Sequence, residues 1–349
     1  MQWCGGPHHI DMNWTATHPS AQHGTVPSRT APHRAALHLS MPRLLACLQV
    51  QRIELRAGLS GNLTYSLDGT EHDASVALRI WLQAAAVHNL SIGFIHAPLR
   101  TSAPTEVARQ LDAAKALQAE FGAQALIGFD LVGQEDPGKT LLEFKNVLLA
   151  GSSPALPYVF HAGETKYAGA PSDGNLYDSL LLNASRIGHG FALRNHPQLR
   201  AEVKRRVCRF EPAPLGHAPC VTAPALVWWC RRGVAIEVCP ISNQVLGLMD
   251  DFRNHPLPLF VSEGLPIVIS SDDPGFWQPL PSPLSYDWWV AFVVAGERCG
   301  GIGLLKQLAL NAIRYSLASA SEQATMTAAW LVRWDSYVDW LLSQSVTID

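Results

Sequence analysis

The chain has 349 residues, room for one large barrel domain or two ordinary ones. With 48% hydrophobic and 16% charged residues it can build a full core, which excludes global disorder. The net charge of −3 carries no long run of one sign, and apolar stretches such as Trp288 to Ala295 are too short to span a bilayer, so neither nucleic acid nor membrane is an expected partner.

Residues 1–50 are rich in His, Pro, Ser and Thr, lack periodicity and read as an irregular amino-terminal segment. They contain no apolar run of the kind a secretory signal requires. From Arg52 the texture changes. Short apolar runs predict strands at Ile53–Arg56, Ile92–His96, Ala125–Leu131, Tyr158–His161, Arg186–His189, Ala235–Cys239 and Pro266–Ser270. Longer periodic stretches between them, such as Ala74–Val87, Thr105–Phe121 and Thr140–Leu149, predict helices. Strand alternating with helix implies βα units and a parallel sheet, so residues 51–349 are expected to form one barrel domain. Seven strands are visible where a closed (β/α)8 barrel needs eight, and the eighth would precede Ile53. Residues 208–232, with Pro212, Pro214, three cysteines and Trp228-Trp229, interrupt a helix-to-strand connection and read as an insertion. The seven cysteines form no C-x-x-C pair, and their odd number argues against a complete disulfide framework.

Three of the predicted strands deliver ionisable residues at their carboxyl ends: His161-Ala-Gly-Glu164, Arg186-Ile-Gly-His-Gly190 and Ser271-Asp-Asp-Pro274. That end of an α/β barrel is where metal ligands and acid–base groups gather. Each motif alone is weak. A histidine after a strand is more often packed than ligating, and Asp-Asp-Pro by itself reads as a turn. Together and in order they make a constellation. Adjacent aspartates at a strand end point to different sides, so one can bind metal while its neighbour faces a substrate.

Five ordered segments carry a family resemblance: Ile127-Gly-Phe-Asp-Leu-Val-Gly133, His161-Ala-Gly-Glu164, Arg186-Ile-Gly-His-Gly190, Glu237-Val-Cys-Pro-Ile-Ser-Asn-Gln244 and Ser271-Asp-Asp-Pro274. They resemble the adenosine deaminase family, and the wording around Cys239 and His255 resembles its secreted branch, the adenosine-deaminase-related growth factors. The resemblance implies a (β/α)8 TIM-type barrel of the metal-dependent hydrolase kind, with one zinc at the carboxyl-terminal mouth. It implies zinc ligation by His161 and Asp272, proton donation to purine N1 by Glu164, and orientation of the attacking water by His189. It also implies contact of Asp273 with N7 and of the Gly133 N–H with N3. The expected partner is a small purine nucleoside, and the expected reaction is hydrolytic deamination of adenosine or deoxyadenosine to inosine or deoxyinosine plus ammonia. The chemistry suits these residue types. Water must attack an aromatic carbon, zinc lowers the pKa of water to about 7, and the electron density pushed onto N1 needs a proton donor. The cytidine-deaminase pattern of H-x-E with P-C-x-x-C is absent.

The match departs from the family at one place. The family's first strand carries a His-x-His pair of zinc ligands, and no H-x-H occurs in this chain. His8 and His9 are adjacent and would point to opposite faces of a strand. The barrel is therefore expected to lack its first strand and two ligands of its zinc site, with impaired activity. The alternative reading is a catalytically inactive nucleoside-binding or growth-factor-like protein. The secreted branch implies an extracellular location, which the missing signal does not support. It also implies a homodimer, although the amino-terminal helices that the branch uses for pairing have no recognisable counterpart.

Overall fold

A computed structural model describes residues 50–61, 64–65, 70–153, 156–207, 233–273, 283–296 and 299–344. The irregular segment up to Gln49, with its histidines, and the 208–232 insertion lie outside the described residues. The strands are β1 (Arg52–Ala57), β2 (Thr64–Tyr65), β3 (Glu71–His72), β4 (Ser91–His96), β5 (Leu126–Phe129), β6 (His161–Ala162), β7 (Arg186–His189), β8 (Ala235–Val238) and β9 (Ile267–Ile269). β2 and β3 form a small antiparallel ribbon. The other seven are parallel, and each overlaps one of the runs read from the sequence, β6 by His161 alone. The ladders give β1-β4-β5 and β6-β7-β8-β9. A parallel bridge between Phe129 and Tyr158 joins the two, with Val159 N–H donating to Phe129 O at 3.0 Å. The result is one run of parallel strands with β1 and β9 at its ends. No ladder joins β9 to β1 among the described residues.

The helices are α1 (Ala74–Val87), α2 (Pro104–Phe121), α3 (Lys145–Gly151), α4 (Asn175–Leu181), α5 (Pro197–Val207), α6 (Pro240–Val245), α7 (Leu257–Ser262), α8 (Pro283–Ala291), α9 (Ile302–Arg314) and α10 (Ala320–Ser343). α1 starts where the Asp73 carboxylate accepts from the Val76 N–H, and α2 starts at Pro104. Among the described residues no helix is long and apolar enough to cross a membrane.

Period-2 alternation sorts β1. Ile53, Leu55 and Ala57 pack on an apolar layer with Leu78, Trp81, Phe94 and Phe129. Arg52, Glu54 and Arg56 face the other side. There Glu54 accepts from Arg52 Nε at 3.0 Å, Arg186 Nη1 at 2.6 Å and the Leu317 N–H at 2.7 Å. Arg56 pairs with Asp130 Oδ2 at 2.6 Å and Glu237 Oε2 at 2.7 Å. Arg186 also reaches Glu237. β1 and β8 are far apart in strand order, so these contacts require the sheet to curl until its two ends face each other. Burial alone would push the Glu54 carboxyl up, but the charges of Arg186 and Arg52 outweigh it and hold the group below its usual range. A second apolar layer, with Ile187, Ile236, Val238, Ile267 and Phe260, fills the outside of the β6–β9 half.

Glu54→Ala would leave Arg186 and Arg52 with one buried partner fewer, a loss of about 3–5 kcal/mol. Glu120→Ala breaks the exposed Arg79–Glu120 pair and should cost less than about 1 kcal/mol. Urea denaturation of both variants checks the contrast, and equal midpoints would refute it.

His96 is fully buried at the end of β4, where its Nδ1 accepts from the Leu59 N–H at 2.9 Å. Burial pushes its ring down to about 4. The folded value lies below the ordinary one, so the contribution is complete above about pH 6.5 and is lost as pH falls towards 4, by up to about 1.4 kcal/mol per pH unit. A His96→Gln variant should show a flatter dependence of unfolding free energy between pH 6.5 and 4. Parallel curves would contradict this assignment.

Candidate active site

The ends of β5, β6, β7 and β9 lie at one mouth of the curled sheet, where His161, Glu164, His189 and Asp272 meet. One ligand atom each from His161, His189 and Asp272 lies within 4.8 Å of the others. The imidazoles of His161 and His189 are 5.0 Å apart between centroids. His189 Nε2 is 3.4 Å from Glu164 Oε1 and 3.8 Å from Asp272 Oδ2. Gly133 follows β5 with φ of 100°, a conformation that favours glycine and sets the backbone of that turn. Asp273 opens towards solvent at the mouth. The surrounding walls and the charge of Asp272 nevertheless push its carboxyl up to about 6.

The backbone here is strained at two non-glycine residues. His189 has φ of 60° and Asp272 has φ of 56°. Left-handed conformations at such positions persist only where the surroundings over-determine them, and they gather at functional sites. Gly188 beside His189 has its own reason: a Cβ there would stand 3.3 Å from His161 Cα.

Each site residue is held from behind. Asp130, just past β5, accepts the His161 N–H at 2.9 Å through Oδ1 and lies 2.6 Å from His161 Nδ1 through Oδ2. Burial pushes the His161 ring down, but the Asp130 charge and hydrogen bond outweigh it and lift the ring to about 9. Glu135 accepts from the N–H groups of Gly163 at 3.1 Å and Glu164 at 2.6 Å, and from Asn175 Nδ2 at 2.7 Å. That fixes the turn carrying Glu164. Ser242 Oγ donates to Asp272 Oδ2 at 2.7 Å, and Asn243 Nδ2 meets His189 Nδ1 at 3.2 Å.

The site residues were legible as a constellation, but these supports were not. Asp130 lies three residues before Gly133, and its carboxylate turns to His161 and Arg56. Ser242 and Asn243 sit inside a motif already singled out, yet nothing in their spacing indicates which partner they serve. His255 precedes Pro256 at the start of α7, and its Nδ1 accepts the Leu257 N–H at 2.9 Å.

The donor set fits a metal ion of the zinc type. The His161 imidazole and the Asp272 carboxylate converge as donors of the kind zinc takes, with the His189 imidazole beside them, and Asp130 occupies the His161 Nδ1, which leaves Nε2 to face the cluster.

The adenosine deaminase family model matches residues 82–329. The chain belongs to the adenosine deaminase family. It is 38% identical over 298 residues to adenosine deaminase 2 of Sus scrofa, covering 83% of this chain and 52% of that protein. It is 38% identical over 293 residues to an adenosine deaminase of Aedes albopictus, covering 82% of this chain and 49% of that protein. The chain thus spans about half the length of these curated relatives. Among solved structures, an amidohydrolase of Burkhoderia ambifaria with bound zinc superposes with a TM-score of 0.67 at 20% identity, covering 90% of this chain and 76% of that one. Adenine deaminase of Arthrobacter aurescens superposes with a TM-score of 0.61 at 20% identity, covering 90% and 81%. These likenesses establish the TIM-barrel fold of the family, which this chain shares as an α/β sheet of parallel strands. Closure of the barrel is not observed among the described residues.

Replacing Asp130 by Asn would remove the carboxylate charge behind His161. Zinc affinity, measured by titration against a competing chelator, should fall about 10- to 100-fold. An unchanged affinity would remove Asp130 from the site.

Proposed function

We propose that this protein hydrolyses the 6-amino group of a purine nucleoside, converting adenosine or deoxyadenosine and water to the 6-oxo nucleoside and ammonia. One observation carries the reading: Glu164, His189 and Asp272, from three separate strand ends, meet within 3.8 Å around His189 Nε2. Family membership supports the same chemistry. His161 and Asp272 would hold zinc, which when bound supplies a hydroxide nucleophile near neutral pH by lowering the pKa of water to about 7.

The protein's own groups account for the rest. Glu164 presents its carboxyl to N1 and delivers the proton there as electron density leaves the C6–N1 π-bond. Its turn is held by Glu135 through two backbone N–H groups, so the proton donor is placed before substrate arrives. His189 hydrogen-bonds the attacking water through Nε2. N7 is an acceptor, so Asp273 serves it as a carboxylic acid, in keeping with its upward-shifted carboxyl. The Gly133 N–H contacts N3. The hydroxyl added at C6 passes its proton to the departing amine, which leaves as ammonia, while the other proton of the water restores Glu164, and the purine regains aromaticity in its 6-oxo, N1–H form.

Zinc-loaded protein incubated with adenosine should yield equal amounts of inosine and ammonia. Glu164→Gln should lower kcat by at least about 100-fold. Zinc-loaded protein that leaves adenosine and deoxyadenosine untouched, or full turnover by the variant, would overturn the proposal.

A further inference from the structure

The Asn243 side chain stands between two histidines, and all three groups are buried. Its Nδ2 is 3.2 Å from His189 Nδ1, and its Oδ1 is 3.1 Å from His255 Nε2. At the far end the Leu257 backbone N–H donates to His255 Nδ1 at 2.9 Å. Phe191 closes one side of the His255 ring, with centroids 5.9 Å apart.

The direction of this chain is determined from its far end. A backbone N–H can only donate. His255 Nδ1 therefore presents its lone pair, and the ring proton sits on Nε2. That N–H must meet an acceptor, so the Asn243 oxygen faces His255 and its NH2 faces His189. The amide has one permitted orientation. An NH2 only donates, so His189 Nδ1 presents a lone pair and its ring proton sits on Nε2. Burial and the Arg194 charge keep the His255 ring neutral, pushing it down to about 3, so this end of the chain does not reverse near neutral pH.

His161 is arranged the opposite way. Its Nδ1 faces the Asp130 carboxylate, which only accepts, so Nδ1 keeps its proton and Nε2 is the nitrogen that can give up its proton and offer a lone pair when a metal binds. A metal takes a lone pair and cannot take an N–H. The two histidines are only 5.0 Å apart between centroids, yet their buried partners give their outward nitrogens opposite characters.

We infer that Asn243 and His255 are positioning residues that lock His189 in its Nε2–H tautomer, making it a hydrogen-bond donor between Glu164 and Asp272 and excluding it from the metal's ligands. The inference rests on the deaminase reading of the site and deepens it, because it separates a ligand from a donor within one cluster.

The test is 15N NMR of the full chain labelled at histidine, with and without zinc, with His189 assigned by the spectrum of His189→Gln. One-bond and two-bond ring correlations report which nitrogen holds the proton, with no turnover required. The expected result is a proton on Nε2 of His189, retained when zinc is added. Asn243→Asp offers His189 only an acceptor and should move the proton to Nδ1. In an active preparation it should also lower kcat at least tenfold with little change in KM. His255→Gln still offers Asn243 an N–H donor and should keep the Nε2–H form. A native His189 protonated on Nδ1, or losing its Nε2 proton to zinc, would overturn the inference even if adenosine is deaminated. An Nε2–H tautomer in a protein that leaves adenosine untouched would support the inference and count against the substrate assignment instead.

Discussion

Arg56 is the interaction on which the site depends. It projects from β1, at one end of the strand order, and pairs with Asp130 after β5 and with Glu237 in β8. A flat sheet would hold β1 and β8 far apart, so the pairing exists only when the sheet curls. The same curl brings the ends of β6, β7 and β9 to one mouth. Asp130 turns its other contacts to the backbone and ring of His161. The curl of the sheet and the orientation of a candidate ligand are therefore one hydrogen-bonded system.

Such a system is costly. Taking three arginines and three carboxylates out of water loses several kcal/mol per ion, and an apolar packing of equal volume is often as stable. Apolar side chains would fill the interior, but they could not hold a carboxylate against His161 Nδ1. The interior is apolar where direction is unimportant, as at Ile95, Ile127 and Val159, and ionic where it faces the site.

The seven parallel strands were legible because each is a short apolar run bounded by helix signals, and α1 matches its periodic stretch to the residue. α3 was less clear. The capping box of Thr140 with Glu143 marks its start, but a 3-10 turn over Leu141–Phe144 precedes the α-helix, which has the same composition and a different hydrogen-bond period. The clustering of His161, Glu164, His189 and Asp272 was legible because each stands at or just past the end of a strand. Their supports were not, because Asn243 meets His189, 54 residues away, from the helix after the neighbouring strand, and Arg186 meets Glu54, 132 residues away, only through the curl. A sequence pattern reports which face a residue occupies, and the partner across the barrel depends on how many strands lie between.

The positive-φ residues show the same division between local and tertiary causes. Asn89 and Asn183 adopt φ of 53° and 58° just beyond α1 and α4, where a left-handed residue ends a helix and asparagine tolerates the conformation at little cost. His189 and Asp272 adopt nearly the same φ at strand ends, where no helix terminus calls for it. Their conformations are held by tertiary contacts: Asn243 on the His189 ring, and Ser242 on the Asp272 carboxylate. Ser242 and Asn243 are consecutive residues in the first turns of α6, so one short helix restrains both. Displacing α6 would release His189 and Asp272 together while leaving His161, anchored through Asp130 to β1, in place. The site is thus built in two halves, one tied to the charged interior and the other to a single helix, and they meet between His161 and His189.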